Sequence, residues 1–388
     1  MVPNDRIPSL ASNESAADAW ISTFLLPFYP KTRVRFLLVG NEVLSDRTNK
    51  GAWFDLVPAM INIYKSLKKH KIDDIKVGTS MAMDTLSATT PPSSGEFRPD
   101  IAEPVMKPML KFLNDTGSYF FLDAYTYFPW SYNHTKISLD YALFEANSSL
   151  YYTDPLSKLT YTNLFDEMLD SVIFAMKRVG YGSIRLCVAE TGWPNAGDID
   201  EIGANIHNAA IYNRNLAKRF RMRPGTPLRP GSYMPIFVFA LYNENIKPGP
   251  GTERHWGVLY PNGTRVYDVD LTGERTEFAP LPLPTNNEPY KGKIWCVLRA
   301  DAKNETAVGA ALSYACGQGN GTCDAIQKGR ECYEPNNLFA HANYAINSYW
   351  LKFRDPQNWA ATCYFGGLAE QATVDPSYGS CKYPSLNG

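Results

Sequence analysis

The stretch 184–193 constrains the fold of this chain more than any other, because it is a short apolar run that ends in a carboxylate, a glycine and an indole. A run this short and this apolar is typical of a strand buried on both faces, as in a parallel sheet covered by helices. Side chains alternate along a strand, so Glu190 should share a face with Val188, and Cys187 should point the other way, towards the helices. Glu190 thus ends a buried strand, where catalytic residues gather in barrels of alternating strands and helices.

A second stretch, 33–42, has the same design, since it is an apolar run that stops at Glu42. The carboxyl ends of parallel strands meet at one mouth of a barrel, so Glu42 and Glu190 are predicted to face each other there. Paired carboxylates are the groups that cleave glycosidic bonds. The alternative for each glutamate is a structural role, in which it caps a strand or binds a loop.

Strand and helix signals alternate through the first 271 residues, which is the pattern of a parallel sheet with helical crossovers. Five strands are predicted, and they end near Glu42, Met83, Tyr127, Glu190 and Glu244. Helices are predicted over 12–28, 52–69, 101–114, 162–179 and 200–223. Pro104 and Pro108 should interrupt or kink the third of these helices.

Three segments resemble the signature segments of the plant endo-1,3-β-glucanases of glycoside hydrolase family 17. They are Val39-Gly40-Asn41-Glu42, Ala189-Glu190-Thr191-Gly192-Trp193 and Leu241-Tyr242-Asn243-Glu244-Asn245. The resemblance covers 1–271 and implies a (β/α)8-type barrel that hydrolyses 1,3-β-glucan with retention of configuration. Residues 1–5 resemble the end of the family's third strand, so the expected fold is a barrel that lacks its first two strands and most of the third. Such an open sheet would expose two edges, and its activity would be impaired.

The resemblance also implies roles for individual residues. Glu190 corresponds to the nucleophile and Glu42 to the acid/base, and Asn41 is placed to hydrogen-bond the sugar 2-hydroxyl. Two carboxyls suit two roles, because an ionised carboxylate raises the pKa of its neighbour, which then stays protonated as the acid. Further catalytic candidates follow the last strand, at Glu244, Lys247 and Glu253. The alternative for this trio is a solvated salt bridge.

Aromatic side chains near the strand ends are candidates for binding the faces of sugar rings. The loop that leaves the third strand contains Tyr125, Tyr127 and Phe128, and its position favours a sugar-binding wall over simple loop packing. Trp193 and Tyr242 are further stacking candidates, for which core packing is the alternative.

The last part of the chain is predicted to be a separate domain. Residues 272–292 form a linker with four prolines among polar residues, which should act as a semi-extended spacer. Residues 293–388 contain six of the seven cysteines, at Cys296, Cys316, Cys323, Cys332, Cys363 and Cys381. Six cysteines in so small a domain favour three disulfides over a zinc site, because the paired Cys-x-x-Cys spacing is absent. Fifteen connectivities remain open.

This domain resembles the X8 domain, carbohydrate-binding module family 43. The resemblance lies in Trp295-Cys296-Val297, Tyr364-Phe365-Gly366-Gly367-Leu368-Ala369 and Asp375-Pro376-Ser377-Tyr378-Gly379-Ser380-Cys381. It implies a small helical fold that binds 1,3-β-glucan. It also implies the pairs Cys296–Cys363, Cys316–Cys323 and Cys332–Cys381. The seventh cysteine, Cys187, is expected to be a buried and unreactive thiol.

Composition argues against several other classes of function and predicts the compartment. The net charge of −1 argues against partners such as nucleic acid or an anionic membrane. No apolar run is long enough to span a membrane, and no metal or cofactor motif is present. Seven Asn-x-Ser/Thr sequons and the clustered cysteines predict a secreted glycoprotein of the cell wall or apoplast, although residues 1–5 do not resemble a signal peptide. We expect a monomer, and the last residues lack the apolar tail of a GPI signal.

Three functions fit these observations. The first is an endo-acting, retaining 1,3-β-glucanase with a glucan-binding module. The second is a non-catalytic callose-binding protein, in which only the second domain acts. The third is a related β-glucan hydrolase or a transglycosylase. The paired glutamates favour the first function, and the appended module favours 1,3-glucan over a mixed-linkage polymer.

Overall fold

The computed structural model of the protein describes residues 1–355 and 361–387. The chain divides into two compact units, which we call unit 1 and unit 2. Unit 1 consists of Met1–Thr191, Asn215–Phe239 and Leu271–Glu274. Unit 2 consists of Gly192–Arg214, Ala240–Asp270 and Arg275–Gly388. Unit 2 therefore combines two long connections of the first 271 residues with the cysteine-rich segment.

Five parallel strands form the main sheet of unit 1, in the order in which they follow along the chain. They are β1 Phe36–Asn41, β2 Lys76–Ala82, β3 Tyr119–Asp123, β4 Arg185–Thr191 and β5 Ile236–Val238. Val2 extends the sheet beyond β1 by a parallel bridge to Val39, and its N–H donates to Leu38 O at 2.7 Å. The predicted number, order and direction of the strands are confirmed.

Helices alternate with these strands, as the sequence pattern predicts. The longer helices are α1 Ile7–Ser12, α2 Glu14–Phe24, α3 Gly51–Lys69, α4 Lys107–Asp115, α5 Leu164–Arg178 and α6 Ile206–Met222. Short helical turns lie at Asn4–Arg6, Val43–Ser45, Met83–Thr85, Pro92–Ser94, Pro99–Ile101, Tyr127–Tyr132, Leu139–Ala142, Ser148–Leu150 and Gly251–Arg254. Small antiparallel pairs join Leu86–Ala88 to Glu96–Phe97, Tyr152–Thr153 to Thr160–Tyr161, and Gly225–Thr226 to Arg229–Pro230.

Two predicted helices differ in extent from the observed ones because asparagine side chains cap the helices inside the predicted ranges. The helix predicted over 12–28 is divided at Asn13, whose backbone is extended and whose side chain accepts a hydrogen bond from Ser15 N at 2.8 Å. The helix predicted over 200–223 begins at residue 206, since Asn205 Oδ1 accepts from Asn208 N at 2.9 Å. The kink predicted near Pro104 is a π-helical turn before α4.

The predicted third and fifth strands are longer than the observed ones. β3 ends at Asp123, and part of the aromatic loop after it forms the short helix Tyr127–Tyr132. The strand predicted to reach Glu244 ends at Val238. Beyond it, within unit 2, Ala240 exchanges both of its backbone hydrogen bonds with the segment 256–258 instead of continuing a strand.

An aromatic cluster lies on one face of the main sheet and shows that the sheet is curled. Phe36 on β1 contacts Phe121 on β3 with ring centroids 5.3 Å apart, and it contacts Phe237 on β5 at 6.1 Å. Because β1 and β5 are the first and last strands of the sheet, this contact requires the sheet to bend towards itself. Gly78 on β2 makes room for the cluster, since a Cβ atom there would lie 2.3 Å from the Phe121 ring. We call this concave side, lined by Phe36, Phe121 and Phe237, the inner face.

The cysteine-rich part of unit 2 contains a small sheet as well as the expected helices. Its strands are β6 Lys293–Leu298, β7 Ala369–Ala372 and β8 Leu386–Asn387, and they form an antiparallel sheet with β6 in the centre. The helices are α7 Glu305–Gly317 and α8 Leu338–Phe353, with short turns at Asp324–Ile326 and Phe365–Gly367. Disulfides join Cys296 to Cys363, Cys316 to Cys323 and Cys332 to Cys381, which is the pairing that the resemblance implies.

Helix α8 provides much of the core of this small module. It buries Ala345, Ile346, Tyr349 and Trp350. Asn347 on the same helix is fully buried, and it accepts a hydrogen bond from Cys296 N at 2.9 Å and donates to Pro384 O at 2.8 Å. A buried amide with its polar atoms paired ties the helix to β6 without leaving an unsatisfied group in the core.

Candidate active site

Three carboxyl groups lie at the carboxyl end of the main sheet in unit 1. Glu42 directly follows β1, Asp123 is the last residue of β3, and Glu190 is the last residue but one of β4. Asp123 and Glu190 are register partners on neighbouring strands. The charges of both glutamates act on Asp123. Because parallel strands end at a common edge, the three groups form one candidate site.

A β-bulge shapes the strand end before Glu42. The pairing of β1 with β2 shifts between Leu38 and Asn41, and Gly40 takes a left-handed φ of +75° at this point. A Cβ atom at Gly40 would lie 2.5 Å from the Val43 side chain, so both the backbone conformation and the available space require glycine. Bulges beside active sites re-aim side chains, and this one determines the direction of Asn41 and Glu42.

Asn41 is held in place by two residues. Its N–H donates to Asn4 Oδ1 at 2.8 Å, and its C=O accepts from Asn4 Nδ2 at 2.9 Å. Its side-chain oxygen accepts a hydrogen bond from Ser80 Oγ on β2 at 2.7 Å. This last bond directs the amide nitrogen of Asn41 away from Ser80, as a donor group at the end of the strand.

A second bulge shapes the strand end before Glu190. Leu122 on β3 pairs with Val188 on β4, but the next residue of β3, Asp123, pairs with Glu190. Ala189 is therefore an extra residue in β4, and it shifts the alternation of the side chains that follow. The bulge turns Glu190 to the same face of the sheet as Asp123.

The same bulge overturns the predicted direction of Cys187. Cys187 pairs with Phe121, which lies on the inner face, so its side chain lies on the inner face as Glu190 does. The prediction that it points to the helices is wrong, because that prediction assumed strict alternation along β4. The thiol is fully buried, as expected, and burial together with the charge of Asp123 raises its pKa to about 12.

Tyr125 provides a hydrogen bond to Glu190. Its hydroxyl donates to Glu190 Oε2 at 2.7 Å. Burial and the charge of Glu190 raise the pKa of Tyr125 well above its usual value, so the phenol keeps its proton and remains a donor. The ring of Phe128 lies at 5.7 Å from the Tyr125 ring, in an edge-to-face contact that supports it.

Asp123 belongs to this site although sequence analysis did not predict it. Its side chain is 2% exposed. Burial, followed by the charges of Glu190 and Glu42, raises the pKa of Asp123 to about 9. The signal was present in the sequence, because Asp123 ends a strand as the two glutamates do. It was hidden because the strand was predicted to run on to Tyr127.

Unit 2 brings Glu244, Lys247 and Glu253 together. Lys247 Nζ lies 2.8 Å from Glu253 Oε2 and 3.7 Å from Glu244 Oε2. Glu253 is 9% exposed, whereas the side chain of Lys247 is 33% exposed. Arg254 stabilises the loop by donating to the carbonyl oxygens of Lys247 and Gly249, each at 3.2 Å.

Comparison with known proteins identifies the family to which this arrangement belongs. Residues 1–271 match the family described as Glycosyl hydrolases family 17. The chain is a member of that family. Residues 294–370 match the X8 domain.

Relatives of this family 17 chain cover nearly its whole length. The "Probable glucan endo-1,3-beta-glucosidase A6" of Arabidopsis thaliana is 54% identical over 99% of this chain and 80% of its own. The "Glucan endo-1,3-beta-D-glucosidase" of Olea europaea is 36% identical over 98% of this chain and 81% of its own. Among solved structures, "CJP38, a beta-1,3-glucanase and allergen of Cryptomeria japonica pollen" aligns with a TM-score of 0.65 at 39% identity, over 69% of this chain and 81% of its own. These matches confirm the predicted family and its TIM-barrel-like fold.

The aromatic candidates of this family 17 chain fall into two groups. Tyr125 and Phe128 are half-buried, and Tyr242 is 45% exposed. Tyr127 and Trp193 are buried instead, at 3% and 0% exposure, and the indole N–H of Trp193 donates to Gly203 O at 2.8 Å. Their burial favours the alternatives to sugar stacking, which are packing within the loop for Tyr127 and packing in the core for Trp193.

Two further findings concern the part of the chain that the structure describes. It contains no group of three or more His, Cys, Asp or Glu side chains that could hold a metal ion. None of its helices is long and apolar enough to cross a membrane. The three disulfides fit an extracellular protein, because disulfides persist in oxidising compartments.

Proposed function

We propose that this chain hydrolyses internal 1,3-β-D-glucosidic linkages of 1,3-β-glucan with retention of configuration, and that its X8 module binds the same polymer. The observation that carries the proposal is the strand-end group of Glu42, Asp123 and Glu190, with a bulge before each glutamate. Membership of family 17 and relatives named glucan endo-1,3-beta-glucosidases support the substrate class.

In the first step of the proposed reaction, Glu190 attacks the anomeric carbon. The bond from that carbon to the glycosidic oxygen breaks, and Glu42 gives its proton to the departing oxygen. A covalent glycosyl-enzyme results. The hydrogen bond from Tyr125 to Glu190 Oε2 supports this role, because it orients the carboxylate so that Oε1 is the attacking atom.

In the second step, water attacks the same carbon from the side that the leaving group vacated. Glu42, now a carboxylate, takes the proton of that water, and the bond to Glu190 breaks. Two inversions give net retention, for which the two carboxyls should stand about 5–5.5 Å apart. Asn41 donates to the sugar 2-hydroxyl, a contact that strengthens in the transition state.

Other residues are proposed to support catalysis and substrate binding. The cluster of Glu244, Lys247 and Glu253 supports the acid/base machinery, as the resemblance implies. Its ion pairs and the burial of Glu253 favour that role over a solvated salt bridge. Of the aromatic candidates, Tyr125, Phe128 and Tyr242 remain the ones proposed to contact sugar rings, because they are partly exposed.

An aromatic group in the X8 module supports its proposed role in glucan binding. Tyr314 is 51% exposed and lies edge-to-face with Tyr349 at 5.3 Å. Phe365 lies at 5.7 Å from Tyr349 and 6.5 Å from Tyr314. Tyr314 and Phe365 are at least partly exposed, and the buried ring of Tyr349 supports them, so the two rings offer a firm surface for sugar faces.

We infer that the protein is a secreted, monomeric glycoprotein of the plant cell wall or apoplast. The seven asparagines of the sequons are all exposed, which glycosylation requires. They are Asn13, Asn114, Asn133, Asn147, Asn262, Asn304 and Asn320. Mass spectrometry of the protein from plant tissue, before and after removal of N-glycans, tests this inference.

The catalytic assignment is tested by Glu190→Gln and Glu42→Gln, assayed on 1,3-β-glucan and on an aryl glycoside with a good leaving group. Glu190→Gln should abolish turnover of both substrates, because no covalent intermediate forms. Glu42→Gln should lose about 10²–10⁴-fold on the polymer and much less on the aryl glycoside, whose departure needs little proton donation.

A matched control is Glu167→Gln, which makes the same chemical change at a buried glutamate on α5. It should leave turnover of both substrates close to that of the parent. The reverse pattern for Glu42 and Glu190 would mean that the two roles are exchanged. Full activity of both variants would contradict the proposed function itself.

A further inference from the structure

Two loops of unit 2 are joined by the side chain of a glutamate. Loop 198–201 lies in the connection after β4, and loop 247–254 carries the lysine and the second glutamate of the cluster proposed to support catalysis. Glu201 Oε1 accepts a hydrogen bond from Thr252 Oγ1 at 2.6 Å, and its Oε2 accepts from Thr252 N at 2.8 Å. Its Oε2 also accepts from Asp198 N, at 2.7 Å within its own loop. A group that fixes loop 198–201 therefore also helps to fix loop 247–254.

The X8 module holds loop 198–201 through polar and apolar contacts. Asp200 Oδ2 lies 2.5 Å from Nη2 of Arg354, the residue that follows α8. Asp200 Oδ1 accepts a hydrogen bond from Gln371 Nε2 on β7 at 2.6 Å, and Asp200 N donates to Gln371 Oε1 at 3.3 Å. Ile199 packs against the apolar core of the module. Asp200 thus directs its N–H and both carboxyl oxygens to the module, and the ion pair makes these contacts strong ones.

The module holds loop 247–254 through one aromatic ring. Tyr364 is half-buried, and the guanidinium carbon of Arg254 lies over its ring at 3.9 Å from the centroid. A cation at this distance is attracted to the face of the ring. Arg254 Nη1 also donates to Lys247 O and to Gly249 O, each at 3.2 Å. Arg254 therefore connects a side chain of the module to the backbone of Lys247.

The linker before the module is anchored to the same connection after β4. Gly203 N donates to Asn286 O at 2.7 Å, and Asn286 Nδ2 donates to Ala204 O at 3.0 Å. Asn205 Nδ2 donates to Asn287 Oδ1 at 2.9 Å. A linker that is held next to loop 198–201 reduces the entropy that is lost when the module docks there.

We propose that the X8 module is docked on loops 198–201 and 247–254, and that Tyr364 positions Lys247 and Glu253 for catalysis through Arg254. This inference rests on the proposed function, since the role of Lys247 and Glu253 is assigned there. Tyr364 and Arg254 are positioning residues, because they act through the backbone of the loop. The module then has a role at the active site besides glucan binding.

The first test measures kcat and KM of the full chain on 1,3-β-glucan and on a short, soluble 1,3-β-gluco-oligosaccharide. Tyr364→Leu removes the ring face, and Arg254→Met removes the cation. We expect each to lower kcat about tenfold on both substrates with little change in KM, because the cluster acts on the chemical step. Tyr364→Phe keeps the ring face, so its kcat should stay within about twofold of the parent. The double variant of Arg254→Met with Tyr364→Leu should be no slower than Arg254→Met, since the two residues act in series.

Arg185→Met is the matched control. Arg185 lies over the Tyr119 ring at 4.2 Å and donates to Gly117 O at 3.3 Å, so it makes the same two kinds of contact as Arg254. Arg185 begins β4, at the end of the strand opposite to Glu190. Its substitution should therefore leave kcat on both substrates unchanged.

The second test measures hydrogen exchange and needs no activity. In the parent, Thr252 N donates to Glu201 Oε2 and Glu253 N donates to Pro250 O at 3.1 Å, so both amides report on loop 247–254. Peptides that cover this loop should exchange about fivefold to tenfold faster in Tyr364→Leu and at the parent rate in Tyr364→Phe. Peptides from β6 and α8 should keep their protection, which shows that the module itself remains folded.

Four results would overturn the inference. They are parent values of kcat and exchange in Tyr364→Leu, a Tyr364→Phe variant as slow as Tyr364→Leu, faster exchange of loop 247–254 without a loss of kcat, and a higher KM on the polymer with an unchanged kcat. The last result would mean that Tyr364 contacts the glucan itself.

The test does not depend on one variant or on activity alone. If Tyr364→Leu does not fold, the comparison of Arg254→Met with Arg185→Met decides the matter, and equal kcat and exchange in these two variants would overturn the inference. An inactive parent would contradict the proposed function alone, because the exchange of loop 247–254 would still report whether the module holds it.

Discussion

Asp123 in unit 1 and Asp200 in unit 2 are the same residue type in opposite electrostatic surroundings. Asp123 is buried next to two glutamates. Asp200 Oδ2 lies 2.5 Å from Arg354 Nη2, and its Oδ1 accepts a hydrogen bond from Gln371 Nε2 at 2.6 Å. The like charges around Asp123 reduce stability, but they lie at the candidate active site. The ion pair of Asp200 with Arg354 instead connects two segments of the chain. The same substitution, aspartate to asparagine, should therefore have opposite consequences in the two units.

The two units also differ in their sulfur chemistry. The six cysteines of the X8 module are joined in three disulfides, and Cys187 of unit 1 is a free, buried thiol. The module is small, and domains of its size often need covalent links because their cores are small. Unit 1 relies instead on a large apolar core around the main sheet. Three predictions test these two contrasts, in electrostatic surroundings and in sulfur chemistry, and the largest effect comes first.

Removing a disulfide should destabilise the X8 module strongly, and more when the disulfide closes a longer loop, although the cost grows only with the logarithm of loop length. Cys296 and Cys363 are separated by 67 residues in sequence, and Cys316 and Cys323 by 7. On loop entropy, the double substitution to alanine should cost about 4 kcal/mol for the first pair and about 2.5 kcal/mol for the second. Hydrogen exchange of the intact chain, followed on β6 and α8, measures the loss.

Peptides from the main sheet are the internal control in that experiment. Their protection should be the same in the parent and in both double variants, because no disulfide lies in unit 1. Equal losses for the long and the short loop would contradict the entropic ranking. Loss of protection in β3 or β4 would mean that these disulfides also stabilise the main sheet.

Much of unit 1 is predictable from the sequence because short apolar runs are a strong signal for buried parallel strands. The runs that end at Glu42 and Glu190 indicate the strands, their common direction and the edge at which the glutamates meet. The bulges are harder to predict, because a bulge is one extra residue in a run that is apolar with or without it. Nothing in the sequence distinguishes Ala189 as the extra residue of a bulge. The predicted direction of the Cys187 side chain was wrong for that reason.

Burial in tertiary structure is the other property that sequence patterns do not contain. Trp193 and Tyr242 stand in similar motifs after strand ends, yet one is fully buried and the other is 45% exposed. The difference depends on the hydrogen bond from Trp193 to Gly203 and on the packing of its ring against Tyr212, at 5.9 Å. These contacts join residues 10 and 19 positions apart, beyond the reach of local periodicity.

The pairing of Asp200 with Arg354 should have an intermediate effect on stability. Asp200→Asn removes the charge that faces Arg354, whose side chain is 17% exposed. We expect a loss of about 1–3 kcal/mol, below the value for a fully buried pair because water still reaches both groups. A double-mutant cycle with Arg354→Gln, in urea unfolding near neutral pH, isolates the coupling energy.

The exposed pair Lys111–Asp115 on α4 is the control for that cycle. Its side chains are 66% and 52% exposed, and its coupling should be only about 0.3–0.5 kcal/mol. A coupling as small at Asp200–Arg354 would mean that the contact does not hold its two segments together. Asp123→Asn should be measured in the same experiment. Its effect on the free energy of unfolding should become less destabilising as pH rises, because the buried aspartate that it replaces loses stability as it ionises. Asp200→Asn, which removes a paired charge, should instead destabilise the protein.

Cys187→Ala should have the smallest effect, about 1 kcal/mol on unfolding, because it removes one buried sulfur from a core that can partly close around the gap. The thiol is fully buried and its pKa is raised to about 12, so a thiol reagent should find no reactive cysteine in the native protein and one after denaturation without reductant.

Since Cys187 and Asp123 both lie on the inner face, the variant also tests which group titrates there. Between pH 5 and 8 the thiol is neutral in both the folded and the unfolded protein, so Cys187→Ala should leave the pH dependence of stability unchanged in that range, whereas Asp123→Asn should flatten it. A curve that Cys187→Ala flattens between pH 5 and 8 would contradict the assignment of the extra proton of the folded state to Asp123.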